Sequence, residues 1–165
     1  IDFIGLEAQL NLANDAPIID VGGGDSLLVD HLIESGYTDV TVLDISSKAI
    51  GVPKKDEGEK ISCSMEIGDV TEFVPKRTYA VWHDRATFHF LVSNTNREAY
   101  FKALSLGTDK KSKFMLATFS TNGPATCSGI LVQQYDESSL IRSFESEWEQ
   151  ISASTVENVT PEGGV

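Results

Sequence analysis

Three aspartates recur at a spacing that carries chemical meaning. Asp20, Asp44 and Asp69 each close a short apolar run, and Gly22, Gly23 and Gly24 follow Asp20 after Val21. If the runs are neighbouring strands of an open parallel sheet, all three carboxylates lie beyond the carboxyl ends of the strands, where such sheets bind ligands. A carboxylate only accepts hydrogen bonds, so Asp44, 24 residues after Asp20, suits the two hydroxyls of a ribose. Asp69 and the amide of Val70 suit the amino group and a ring nitrogen of an adenine-like base. The glycines permit a tight turn and let a ligand lie against the backbone. Asp20 sets the sign of that ligand. A carboxylate facing a diphosphate is repelled by about 4 kcal/mol per charge pair at 4 Å for an effective dielectric near 20, whereas a cationic amine is attracted. The dinucleotide fingerprint GxGxxG also breaks, because Leu27 takes its last glycine position. The pattern reads as a nucleoside that carries positive charge.

A second group follows the apolar run Tyr79–Trp82: His83, Asp84 and Arg85, then His89. Histidine titrates near neutrality, which makes His89 the candidate general base. Arg85 is placed to hold an acidic substrate by a bidentate contact. Asp84 either pairs with Arg85 or holds the substrate. A purely structural reading stands beside these: Phe88, Phe90 and Leu91 pack a core, His89 bonds a backbone carbonyl, and Asp84 with Arg85 is a structural ion pair.

The elements that must position these residues alternate in type. Apolar runs at Pro17–Val21, Val40–Asp44, Ile61–Ile67, Tyr79–Trp82 and Lys113–Phe119 read as five strands, and Trp148–Ser154 as a sixth. Between them lie amphipathic stretches. A helix is expected over Asp25–Ser35, capped by Asp25 or Ser26, striped by Leu28, Val29, Leu32 and Ile33, and ended by Gly36. Others are expected over Ser46–Ile50, over Asn96–Leu106 with Ala99, Ala103 and Leu106 inward and Gly107 as the stop, and over Glu137–Glu145. Gly51–Lys60 reads as a loop. Strands alternating with helices predict an α/β fold, a Rossmann-like three-layer αβα sandwich with a mostly parallel sheet. Residues 1–165 read as a single domain. Ile1 at the start and the turn-rich Thr160–Val165 at the end lead to the expectation of a domain truncated at both ends.

Bulk properties narrow the partners. With 13 basic and 25 acidic residues the net charge is −12, which repels phosphate backbones and argues against a nucleic-acid partner. No run approaches the ~18 apolar residues of a membrane span. Cys63 and Cys127 stand far apart without a CxxC companion, so neither a metal site nor a disulfide framework is expected, and a reducing, cytoplasmic setting fits.

The run from Ile18 to Ser26, with Val42-Leu43-Asp44-Ile45-Ser46, resembles the class I S-adenosylmethionine-dependent methyltransferases. The run Val81-Trp82-His83-Asp84-Arg85-Ala86-Thr87-Phe88-His89-Phe90-Leu91 resembles a subgroup of small bacterial methyltransferase-domain proteins, as do Ala117–Ser120, Gly123-Pro124 and Cys127–Gly129. The resemblance implies a seven-stranded sheet, of which the last strand is missing here. It implies S-adenosylmethionine as cofactor, whose ammonium and sulfonium match the charge inferred above, and no metal. The cofactor set is Asp20, Gly22, Gly23, Gly24, Asp44, Ile45, Asp69, Val70 and His83. The implied activity is methyl transfer to a small molecule or a protein. The alternatives are a nicotinamide- or nucleotide-binding oxidoreductase domain and a methyltransferase-like binding domain without turnover. One departure is the loop before the fifth strand, which reads Gly107–Lys111 where many family members have Pro-Gly-Gly.

Overall fold

The computed structural model of the chain describes residues 11–24, 26–47, 62–85 and 87–156. Five strands, β1 (Ile18–Val21), β2 (Asp39–Asp44), β3 (Ser62–Ile67), β4 (Val81–Arg85) and β5 (Lys113–Ala117), form one parallel sheet in the order β3-β2-β1-β4-β5. Helix α1 spans Leu28–Glu34, a 3₁₀ turn spans Phe88–Phe90, α2 spans Asn94–Gly107 and α3 spans Glu137–Phe144. The chain runs outward from β1 to β2 and β3, then returns to place β4 on the other side of β1. This reversal is the topological switch point, where open α/β sheets form their ligand crevice.

Side-chain alternation along the central strands builds two cores. Ile18, Val40, Val42 and Val81 pack with Val29 and Leu32 of α1. Ile19, Val21, Leu43 and Trp82 face the other way and pack with Tyr100, Ala103 and Leu104 of α2 and Phe144 of α3. The central strands are covered on both faces, and β1 is buried at every residue, as parallel strands require. The result is the expected αβα sandwich.

Helix α1 ends as the sequence predicts. Gly36 takes φ +90°, its amide bonds Ile33 O, and the Tyr37 amide bonds Leu32 O, a left-handed helix stop. The helix begins later than expected, at Leu28, whose amide is 3.1 Å from Ser26 Oγ. Asp25, the other expected cap, lies outside the described residues, as do the end of the Ser46–Ile50 helix and the Gly51–Lys60 loop.

Four expectations need correction. Strand β4 does not stop at Trp82 but continues to Arg85, because His83 and Asp84 are buried and bonded within the sheet layers. Helix α2 buries Tyr100, Ala103, Leu104 and Gly107, while Leu106 is 52% exposed. Gly107 therefore closes the helix from inside it. A Cβ there would come within 2.6 Å of the Trp82 ring, so glycine allows the close helix–sheet approach. Trp148 packs on Phe114 with ring centroids 5.3 Å apart, but residues 149–156 run exposed and form no strand. A separate hairpin, β6 (Thr126–Cys127) and β7 (Ile130–Leu131), turns through Ser128 and Gly129 at positive φ.

Candidate functional site

Sheet register builds the site. In the β1–β4 pair Asp20 stands opposite His83, so the two side chains emerge on one face. The His83 Nδ1 is 2.7 Å from Asp20 Oδ1. An ionised carboxylate has no proton to give, so the imidazole donates. Asp20 is 2% exposed, and its second oxygen, Oδ2, is buried without a hydrogen-bond partner among the described residues. A half-satisfied buried carboxylate is costly unless a cation or donor completes it. Arg85, two residues beyond His83, is exposed on the same face of β4. Asp20, Gly22, Gly23, Ser26, Leu27 and Arg85 line one cleft of about 330 Å³, within the size range of small-molecule sites.

The glycines do something the sequence reading did not assign to them. Gly22 has φ +71°, and the space its side chain would take is filled by the Thr87 hydroxyl. The space at Gly23 is filled by the Asp20 carboxylate itself. Backbone at this turn thus approaches protein atoms closely, and the glycine requirement holds before any ligand arrives. Gly24 also has positive φ, at +29°.

The other two aspartates lie along the same sheet edge but outside the cleft lining. Asp44 Oδ1 accepts from the Ser46 amide at 2.7 Å, and Ile45 beside it is 72% exposed. Asp69 Oδ1 accepts from the amide and hydroxyl of Thr71, each at 2.8 Å. Gly68, just before it, donates its amide to Asp44 O at 2.9 Å, which holds the two acidic turns side by side. Val70 turns its side chain into the core, so it can meet a ligand only through its backbone.

Asp84 and His89 occupy different ground from that expected. Alternation on β4 sends Asp84 to the α2 face, away from Arg85, and no ion pair joins them among the described residues. Asp84 is fully buried. It accepts from the amides of Thr87 at 2.7 Å and Phe88 at 3.1 Å, and from the Tyr100 hydroxyl. Trp82 Nε1 donates to that hydroxyl at 3.2 Å. Burial pushes the Asp84 carboxyl up to about 6 against the pull of these bonds. His89 is also fully buried, its ring against Phe90 and Phe119 with centroids 4.5 and 4.7 Å away. Neither ring nitrogen has a partner among the described residues, so the carbonyl contact expected for it is not made. Burial pushes its pKa down to about 4. His89 does not line the cleft with Asp20 and Arg85.

Sequence reasoning missed Thr87 and Tyr100. Thr87 meets the glycine turn across 66 residues of chain, and no local pattern signals that contact. Tyr100 reads only as an apolar helix position, and its hydroxyl partner became visible with the fold. Among the described residues no group of three or more His, Cys, Asp or Glu side chains is placed to hold a metal ion. No helix there is long and apolar enough to cross a membrane.

The cleft lies at the switch point of a sheet that many solved structures share. A protein from Methanosarcina mazei described as a S-adenosylmethionine-dependent methyltransferase matches with a TM-score of 0.77 at 15% identity, over 99% of this chain and 93% of its own. The fold is that of the S-adenosylmethionine-dependent methyltransferases. A structure described for the conversion of a disulfide bond into a thioacetal group during echinomycin biosynthesis matches with a TM-score of 0.66 at 18% identity, over 90% of this chain and 68% of its own. The glycopeptide N-methyltransferase MtfA complexed with sinefungin matches at 0.53 and 12% identity over 67% of this chain, which spans only 50% of MtfA. MtfA is also known in complexes with S-adenosylmethionine and S-adenosylhomocysteine. No protein-family model and no curated protein matches the sequence.

Proposed function

We propose that this chain binds S-adenosylmethionine at the glycine turn and transfers its methyl group to a small-molecule or protein acceptor. One observation carries the reading: the buried Asp20 carboxylate, with Oδ1 held by His83 and Oδ2 without a partner among the described residues, in a cleft that also contains Arg85. An anion and a cation in one cleft match the ammonium and carboxylate of an amino-acid tail. Asp20 would take the ammonium and Arg85 the carboxylate. Asp44 would hold the ribose diol, with Ile45 beside it, and Asp69 with the Val70 amide would hold the base. The same Asp20 carboxylate repels a diphosphate, which weighs against a nicotinamide dinucleotide.

When bound, the cofactor supplies a methyl group made electrophilic by its sulfonium. The protein's task is then mainly alignment of donor and acceptor, a contribution of roughly 7–11 kcal/mol where the geometry is good. His83 orients Asp20 through the bond at Nδ1. His89, the base expected from the sequence, is fully buried and does not line the cleft, so it does not face an acceptor there. Asp84 works indirectly, through the loop amides it holds.

Isothermal titration with S-adenosylhomocysteine and with NAD tests the reading. The homocysteine compound is expected to bind and NAD not to; the reverse result overturns it. Methyl transfer to any member of an acceptor screen then separates an enzyme from a binding domain without turnover.

A further inference from the structure

Gly22 and Thr87 come from different halves of the sheet and fill one space. The Thr87 hydroxyl occupies the volume that a side chain on Gly22 would need, and it donates to Val21 O at 3.2 Å. Gly22 itself is tied from the other side, its amide bonded to Leu43 O at 2.7 Å. Thr87 is in turn fixed through its amide, which donates to the buried Asp84 carboxylate at 2.7 Å. Asp84 is braced by the Phe88 amide and by Tyr100 of α2. A continuous set of contacts therefore runs from α2 through Asp84 and Thr87 to the backbone of the glycine turn.

We propose that Thr87 is a positioning residue for the cofactor cleft: it presses the glycine turn into place from the β4 side, and Asp84 holds it there. This rests on the reading of the cleft as the S-adenosylmethionine site. The turn has no side chains of its own at Gly22, Gly23 and Gly24, so its shape must be imposed by neighbours. Leu43 supplies one, Asp20 packs beneath Gly23, and Thr87 supplies the third.

A double-mutant cycle reads the contact directly. Gly22→Ala is expected to weaken S-adenosylhomocysteine binding about tenfold or more, since the new methyl meets the Thr87 hydroxyl and a side chain at φ +71° is also strained in its backbone. Thr87→Ala removes the hydroxyl but not the backbone strain, so Gly22→Ala with Thr87→Ala together is expected to bind about fivefold or more tightly than Gly22→Ala alone, and still more weakly than the wild type. Thr87→Ser keeps the hydroxyl and is expected to bind within about twofold of the wild type. Thermal melts of all four variants run alongside. Additive losses of affinity in the double variant overturn the proposal. So does recovery of melting temperature without recovery of affinity, which would make the contact architectural only. If the wild type itself fails to bind S-adenosylhomocysteine, the functional reading falls. The packing contact is then decided by whether the two substitutions couple in melting temperature.

Discussion

Two buried carboxylates sit on neighbouring strands and face opposite ways. Asp84 is enclosed by three donors, the amides of Thr87 and Phe88 and the hydroxyl of Tyr100, on the side of the larger aromatic core. Asp20 has one oxygen on His83 and the other without a partner among the described residues, beside a cleft. The protein completes the shell of the first and leaves that of the second open. A closed shell serves architecture, because any loss of a donor leaves a charge stranded. An open shell in a cleft serves a ligand, which brings the missing partner. Burial alone, nearly equal for the two, does not distinguish these roles; the count of satisfied oxygens does.

The widest separation is expected from Asp84→Asn. The amide nitrogen of asparagine would face a backbone N–H, and breaking such a shell costs about 3 kcal/mol of stability, seen as a melting-temperature drop of several degrees. Asp20→Asn is expected to do the opposite kind of damage. It places N–H groups where a cation should lie and weakens S-adenosylhomocysteine binding by about 2–3 kcal/mol, while the melting temperature stays within a degree or two. Equal thermal losses in the two variants would dissolve the contrast. Asp44→Ala is expected to cost about 1–3 kcal/mol of the same affinity by calorimetry; unchanged affinity would show that the ribose lies elsewhere.

The smallest effect is the pH dependence of Asp84. Its folded pKa, about 6, lies above the ordinary carboxyl value. The folded state therefore holds this proton more tightly, and the group's contribution to stability is full at low pH and lost as pH rises through 6. The stability gap between wild type and Asp84→Asn should then widen by about 1 kcal/mol between pH 7.5 and pH 5. A gap that narrows over that range would mean the three donors outweigh burial. Paired melts at the two pH values measure it, and the pairing cancels the titration of the other carboxylates.

The positions of Asp20, Asp44 and the glycine turn were legible in the sequence because each is local: an apolar run, then an acid, then a change of direction. The central strands were legible for the same reason. Strand β4 was cut short because Trp82-His83-Asp84-Arg85 looks polar, and only the partners of His83 and Asp84 let those groups be buried. Helix α2 was rotated in the reading because Ala99 and Leu106 compete with Tyr100 and Leu104 for the inward face. The aromatic cluster around Trp82 and Phe88 decides it. The hairpin had a usable signal, Ser128-Gly129 between Thr126-Cys127 and Ile130-Leu131, of the kind that marks two-residue turns. The strand read at Trp148–Ser154 had local alternation, but no strand among the described residues pairs with it.

The Asp20–His83 contact joins residues 63 positions apart in the chain. Pairing of that range is slow to form, since a long loop must close before any contact rewards it. Neither half of the chain contains the cleft; it comes into being when β4 docks against β1. A cation that settles on Asp20 therefore recognises only molecules in which both halves have met, and its binding energy adds to the stability of the whole fold. For this chain, hydrogen exchange in the central strands should slow when ligand is added, even at amides the ligand never touches.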